Sequence, residues 1–284
     1  DALPIYNLLH LYSHLRDTHG MSSQERKQWL QSAKLNEPKD KGFQSPREET
    51  VSTSREPKQT REKPWWETQS LLPFKACSSI LVCGQTGSGK SVWIYRLLRE
   101  LKGMYEIAPV AILYCYSLWQ PLFDEMELAI PDITFQQGLP SQVELDEFTA
   151  DGQHKLIICD DLMHRIVQSS HMELLFTQGC HHKNVSLVVV SQNIFQSGKH
   201  SRTVALNIWY LVLFQNNRDL AQINTLGRQL FPGKANTLGR AYADAMKTRY
   251  NYLVVDMSPN SNPKYRMRTH IFPNEDMYVY VPLS

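Results

Sequence analysis

The sequence predicts an α/β fold built on a mostly parallel sheet with helices covering both faces. Two observations carry this. Short, continuous apolar runs, such as Leu156-Ile157-Ile158-Cys159 and Leu187-Val188-Val189-Val190, alternate with segments of helical periodicity, and strands buried on both sides read in this way. A Gly-rich loop also stands directly between one such run and a helix, where a parallel sheet places its ligand-binding turns.

In chain order, residues 1–33 are expected to form a helical segment, with Ile5, Leu8, Leu9, Tyr12 and Leu15 on one stripe and a second short helix within it after Ser22 or Ser23. Residues 34–64 carry Pro38, Pro46 and Pro57 among Lys, Glu, Ser and Thr. So little apolar surface cannot offset the entropy of ordering, and the segment reads as a disordered linker. The globular domain then spans 65–284, opening on Trp65 and Trp66, which need a packing surface. Within it, strands are expected over 79–83, 110–116, 133–136, 155–160, 185–191, 208–214 and 252–257. Helices are expected from the end of the Gly-rich loop to about 102, and over 142–148, 171–178, 218–230 and 235–246.

Composition suits an ordinary globular chain: 42% of its 284 residues are hydrophobic and 20% charged. The longest apolar runs, about 186–190 and 208–214, are too short to span a bilayer. No apolar stretch follows a basic start, so neither a signal peptide nor a membrane is expected. The five cysteines lack C-x-x-C spacing, which fits free thiols in a reducing compartment. Charge is uneven: residues 1–75 hold 12 basic and 10 acidic side chains, 76–179 hold 6 and 13, and 180–284 hold 12 and 5. A basic C-terminal third is compatible with a nucleic-acid face, or simply with a solvated surface.

The Gly-rich loop reads Gly84-Gln85-Thr86-Gly87-Ser88-Gly89-Lys90-Ser91, matching G-x-x-x-x-G-K-[ST] at every defined position in the strand–loop–helix context that gives the motif meaning. Its glycines let backbone N–H groups turn inward around a phosphate at the positive end of a helix. Lys90 is expected to reach the β- and γ-phosphates, and Ser91 to ligate Mg²⁺. The run 156–159 ends in Asp160-Asp161, supplying Asp160 for the metal and Asp161 as general base for the attacking water. The next strand ends in Ser191-Gln192-Asn193, where Gln192 can sense the γ-phosphate, though an ordinary strand end would look the same. This order suits a P-loop NTPase of the additional-strand type. With no N-K-x-D guanine-reading sequence, ATP is expected rather than GTP.

These residues, with His181-His182-Lys183-Asn184 and Asn216-Asn217-Arg218-Asp219, resemble the FtsK/HerA-type genome-packaging ATPases. The resemblance covers roughly 72–272 and is greatest to those of Polinton/Maverick elements, virophages and related double-stranded DNA viruses. It implies a homo-oligomeric ring that couples ATP hydrolysis to movement of double-stranded DNA, with capsid proteins as further partners. It also implies an intracellular site of action, host nucleus or cytoplasm, with association with the virion. Relatives commonly carry an arginine where Lys183 stands. The cation that a neighbouring subunit lends to the γ-phosphate is therefore Lys183, Arg202 or Arg218, with Arg218 favoured. Other readings are a helicase or nucleotide kinase, and a scaffold that binds nucleotide or DNA without turnover.

Three weaker signals remain. Cys180-His181-His182 lacks zinc spacing. Trp65 and Trp66 suit edge packing or stacking on bases. Arg266, Arg268 and His270 alternate on an expected exposed strand, where they could follow DNA phosphates or blunt a sheet edge.

Overall fold

A computed structural model describes residues 70–217 and 220–282, all within the unit Trp66–Ser284. The expectations for 1–33, 34–64, Trp65 and Trp66 lie outside the described residues. The elements run β1 (Ser79–Cys83), α1 (Lys90–Arg99), α2 (Leu101–Met104), β2 (Ala111–Tyr116), α3 (Pro121–Ala129), β3 (Ile133–Gln137), α4 (Gln142–Phe148), β4 (Lys155–Asp160), α5 (Met163–Ile166) and α6 (Ser170–Leu174). A π-helical turn, Leu175–Gly179, leads into α7 (Cys180–His182) and β5 (Val185–Ser191). Then come α8 (Ser201–Leu206), β6 (Tyr210–Phe214), α9 (Leu220–Leu230), α10 (Asn236–Ala245), β7 (Tyr252–Asp256), a 3-10 turn at Pro263–Tyr265, β8 (Met267–Thr269) and β9 (Tyr278–Tyr280).

Among the described residues, nine strands form one sheet in the order β3-β2-β4-β5-β1-β6-β7-β8-β9. The first six in that order are parallel, and β7, β8 and β9 continue the sheet antiparallel. The mostly parallel α/β fold is therefore present, and β5 lies between the strand that feeds the Gly-rich loop and the strand that ends in Asp160. This inserted strand defines the additional-strand architecture.

Alternation along the strands divides the core in two. Leu81, Leu113, Ile157, Leu187 and Leu213 point to the face covered by α4–α10. Ile80, Val82, Tyr114, Ile158 and Val190 point to the face covered by α1–α3. Each fully buried aliphatic or aromatic side chain contributes about 1.5–3 kcal/mol, so two stacked layers hold the strand tips rigidly. The helix α1 buries Trp93, Ile94, Leu97 and Leu98 on one stripe, with Arg96 and Arg99 in its last turn where they complement the helix dipole. At the start of α4, the Ser141 hydroxyl accepts from Glu144 N while the Glu144 carboxylate accepts from Ser141 N, a capping box.

Two expectations need correction. The segment 266–270 is not an exposed strand edge: β8 lies between β7 and β9, and Arg268 is 2% exposed and paired to Asp256 at 3.1 Å. A buried, paired guanidinium cannot follow DNA phosphates. The helix expected over 171–178 is instead the short α6 followed by the π-helical turn. A π-helical turn inserts a residue and displaces the ladder that an unbroken helix would keep.

Candidate nucleotide-binding site

The carboxyl ends of β1, β4 and β5 lie level, with Cys83 opposite Ser191 and Val190 opposite Asp160. Residues immediately after these positions must emerge on one edge. The chain closes that edge with backbone bonds: Gly84 N donates to Ser191 O at 3.3 Å, Asp161 N to Val190 O at 3.2 Å, and Gln85 N to Gln215 O at 3.1 Å. Gly84 is required by contact, since a Cβ there would lie 2.6 Å from Phe214 Cβ. Gly87 and Gly89 are required by conformation, at φ 77° and 104°.

The loop hands over to α1 at Gly89 with no side-chain cap, leaving the first N–H groups of a ten-residue helix free to meet an anion. Lys90 Nζ donates to Gly84 O at 2.7 Å and Gln85 O at 3.0 Å. Burial lowers the Lys90 pKa, while Cys83, Asp160 and Asp161 act to raise it. The Ser88 hydroxyl is buried in the loop without a hydrogen-bond partner.

Asp160 is buried, and Tyr114 Oη donates to its Oδ2 at 2.9 Å. Burial raises the Asp160 pKa, the Tyr114 bond lowers it, Asp161 raises it and Lys90 lowers it, in that order of size. Asp161 is exposed and left-handed at φ 56°, a conformation that aspartate tolerates better than most residues.

Lys90, Ser91, Asp160, Asp161 and Gln192 all line one cavity of about 800 Å³, the size of a small-molecule site. The structure thus brings together the residues expected for phosphate, metal, base and sensor, with Thr86, Gly87 and Gly89 on the same wall. It does not bring Lys183 there. Lys183 precedes β5 at the opposite edge of the sheet, the length of a seven-residue strand away (about 20 Å), and pairs with Asp146 of α4. Arg218 lies outside the described residues, while the adjacent Asn217 N donates to Gln85 Oε1 at 3.2 Å. Arg202, on α8, lines a separate cavity with Met163 and Leu206.

The set Ser91 and Asp160 fits Mg²⁺. Tyr114 engages one carboxylate oxygen and leaves the other for a cation, and Mg²⁺ characteristically takes one or two protein oxygens plus phosphate and water. Among the described residues, no group of three or more His, Cys, Asp or Glu could hold a metal by itself, and no helix is long and apolar enough to cross a membrane.

Sequence reasoning missed Tyr114, whose role depends on the pairing of β2 with β4. It also missed the aromatic side of the cavity, formed by Trp93, Tyr250, Tyr252 and Phe272. Tyr250 sits at φ 62°, a strained conformation for a bulky residue that costs roughly 1–3 kcal/mol.

The fold and the loop define the class: this domain has the P-loop NTPase fold. No protein-family model matches the chain, and no characterised protein matches it by sequence. Among solved structures it is similar to the genome packaging NTPase B204 of Sulfolobus turreted icosahedral virus 2, in complex with ATP-gammaS. That likeness has 10% identity over 73% of this chain and 98% of that one, with a TM-score of 0.44. It is similar to ATPases 2 and 3 of EssC from Geobacillus thermodenitrificans, with 10% identity, 73% and 40% coverage and a TM-score of 0.40. It is also similar to the flagellar accessory protein FlaH of Methanocaldococcus jannaschii, with 15% identity, 72% and 90% coverage and a TM-score of 0.39. At these scores the likenesses decide nothing about the site, whose chemistry follows from its own residues.

Proposed function

We propose that this chain is a Mg²⁺-dependent ATPase, and that hydrolysis drives double-stranded DNA translocation by a homo-oligomeric ring, in the service of viral or transposon genome packaging. The observation that carries the ATPase reading is the convergence of Lys90, Ser91, Asp160, Asp161 and Gln192 on one cavity beside an uncapped helix start. The DNA, ring and capsid parts rest on the sequence resemblance, as does an intracellular or virion-associated location.

Backbone N–H groups at the tip of the loop and the start of α1, those of Gly87, Gly89, Lys90 and Ser91, receive the β- and γ-phosphates, and Lys90 exchanges its bonds to Gly84 O and Gln85 O for phosphate oxygens. Ser91 and Asp160 would hold Mg²⁺, which would supply neutralisation of the phosphate charge. Asp161 accepts a proton from water as the water oxygen attacks the γ-phosphorus. The bond to the β–γ bridging oxygen breaks, its electron pair stays on ADP, and inorganic phosphate forms. Gln192, at the tip of β5, meets the γ-phosphate and registers its loss. A neighbouring subunit lends a cation, with Arg218 favoured over Lys183 and Arg202.

The test is phosphate release from Mg·ATP with and without double-stranded DNA, on wild type and Lys90→Ala. Turnover that DNA stimulates and Lys90→Ala abolishes is the expected result. ATP binding without turnover in either condition would favour a scaffold, and equal turnover in the variant would overturn the site.

A further inference from the structure

The basic excess of the C-terminal third has a definite place in the fold. Residues 228–249 carry five basic side chains (Arg228, Lys234, Arg240, Lys247 and Arg249) and one acidic, Asp244. The helix α10 lies within this stretch and turns Leu238, Ala241, Tyr242 and Ala245 into the core. Arg240, Asp244 and Lys247 follow one another at four and three residues on the opposite side, so they share one exposed stripe. That stripe borders an open groove of about 940 Å³, with Lys234 ahead of the helix and Met267 of β8 and Tyr280 of β9 on the other wall. Three cations and one anion thus line it. The Asp244 carboxylate is taken up within the groove itself: Lys247 Nζ donates to it at 2.7 Å and Tyr280 Oη at 3.2 Å. Arg240 has no carboxylate partner among the described residues.

We propose that this groove receives the phosphodiester backbone of double-stranded DNA, with Lys234, Arg240 and Lys247 as its phosphate contacts. The choice of duplex DNA as the polyanion rests on the function proposed above. Arg240 and Lys247 stand about 10 Å apart along the helix axis, a span of about three charges along one DNA strand. The Lys247–Asp244 pair is exposed, 76% and 53% on its two sides, and such a pair gives way readily to a phosphate. Contacts of this kind position a duplex and read no sequence, as movement along DNA requires. The inner face of the same helix reaches the nucleotide edge. Tyr242 Oη donates to Phe214 O at 2.9 Å and accepts from Asn216 N at 2.8 Å, beside the backbone bond from Gln85 to Gln215. Beyond Lys247 the chain runs on to Tyr250, whose Cβ lies 3.5 Å from where a Cβ on Gly89 would stand. One helix therefore carries the DNA contacts on its outer side and abuts the Gly-rich loop and its neighbouring strand on its inner side.

The test is fluorescence anisotropy of a labelled DNA duplex, without nucleotide and over a range of salt. It compares wild type, the triple variant Lys234→Gln/Arg240→Gln/Lys247→Gln, the single variant Arg240→Glu, and a control that removes three exposed cations elsewhere, Arg99→Gln/Lys102→Gln/Lys199→Gln. The triple variant is expected to bind about 10- to 100-fold more weakly at low salt, and its slope of log affinity against log salt to be shallower by about 3. The control should keep the wild-type slope. Arg240→Glu should weaken binding at an unchanged urea midpoint, which separates lost contacts from lost folding. Two duplexes of unrelated sequence should behave alike. Equal affinity and slope in wild type and the triple variant would overturn the groove while leaving DNA binding in place. No binding of duplex by wild type even at about 50 mM salt would overturn the groove and the DNA part of the proposed function together, with the ATPase reading still decided by phosphate release. Phosphatidylserine vesicles bound by wild type and not by the triple variant, with duplex binding unaltered, would overturn the DNA assignment and give the groove to a membrane surface.

Discussion

The Tyr114 hydroxyl donates a 2.9 Å hydrogen bond to Oδ2 of Asp160, across the parallel pair β2–β4. Burial holds the Asp160 pKa above the ordinary carboxylate value, and this bond is the largest influence opposing it. Asp160 must be ionised to hold a cation. Removing the hydroxyl in Tyr114→Phe lets its pKa climb further, so the acid limb of the pH–rate profile should move to higher pH. Plateau turnover should fall by about tenfold, as for other residues that orient a metal ligand. Phosphate release measured across pH checks both; a profile that only scales down, without moving, would reduce Tyr114 to a packing residue.

Lys90 and Asp161 should separate binding from chemistry. Lys90→Ala removes the cation proposed to meet the phosphates, so affinity for Mg·ATP should collapse and turnover be lost with it. Asp161→Asn keeps the exposed position and its backbone bond to Val190 O, so binding persists while kcat falls about 10²-fold or more. Because burial lowers the Lys90 pKa, nucleotide affinity in wild type should weaken as pH rises toward that value, before the ordinary lysine range is reached. Titrations at several pH values show this directly.

The parallel core and the convergence of the Gly-rich loop with Asp160 on one edge were legible because their causes are local. The run 79–83 and the 84–91 loop specify a strand, a turn and a helix within a dozen residues, and Asp160 ends a strand whose five preceding residues are buried on both faces. What escaped notice depends on pairing between distant segments. Nothing near Tyr114 says that β4 will bring Asp160 beneath its hydroxyl. Nothing near Arg268 says that Asp256 will meet it inside the sheet, and an alternating Arg-x-Arg-x-His reads as an exposed strand until β9 covers its edge. The helix α3 was overlooked despite Pro121 at its start. Its acidic residues Asp124 and Glu127 are buried, which blurs the apolar period.

The contact between Gly84 and Phe214 should make the first loop glycine a stability residue as well. A Cβ at Gly84 meets Phe214 Cβ at 2.6 Å and Ser88 Oγ at 3.0 Å, between strands that cannot part without breaking the core. Gly84→Ala should cost about 1–3 kcal/mol by overpacking. Nothing lies within 4 Å of a Cβ on Gly87, whose φ is 77°, so Gly87→Ala should cost only about 1 kcal/mol through conformation. Denaturant unfolding of the two variants ranks them, and an equal cost would show that the strands yield.

The Arg268–Asp256 pair should behave as a buried ion pair, with side chains 2% and 13% exposed. Asp256→Ala strands a guanidinium that also donates to Tyr265 O at 3.1 Å, and the expected loss is about 3–5 kcal/mol. Replacing both charges, as in Asp256→Ala with Arg268→Met, should recover much of that loss. Equilibrium unfolding of the two single variants and the double variant closes the cycle, and purely additive losses would show that the charges do not sense each other.

His154 should make the fold sensitive to acid. Its Nδ1 lies 2.7 Å from Ile107 O and its Nε2 2.9 Å from Ser186 Oγ. Burial lowers its pKa below 6.5, against a smaller opposing effect from the Ile107 carbonyl. The sign follows from proton uptake. Below pH 6.5 the unfolded imidazole binds a proton that the folded one refuses, so stability falls as pH drops through 6.5 and levels off below the lowered folded value. Above 6.5 both states are neutral and His154 contributes no pH dependence. Urea midpoints at pH 7.5, 6.5 and 5.5 should therefore decline toward acid in wild type. His154→Gln should start lower, through lost bonds to Ile107 and Ser186, and decline less steeply, because glutamine takes up no proton in either state. Parallel declines in the two proteins would assign the acid sensitivity to other groups.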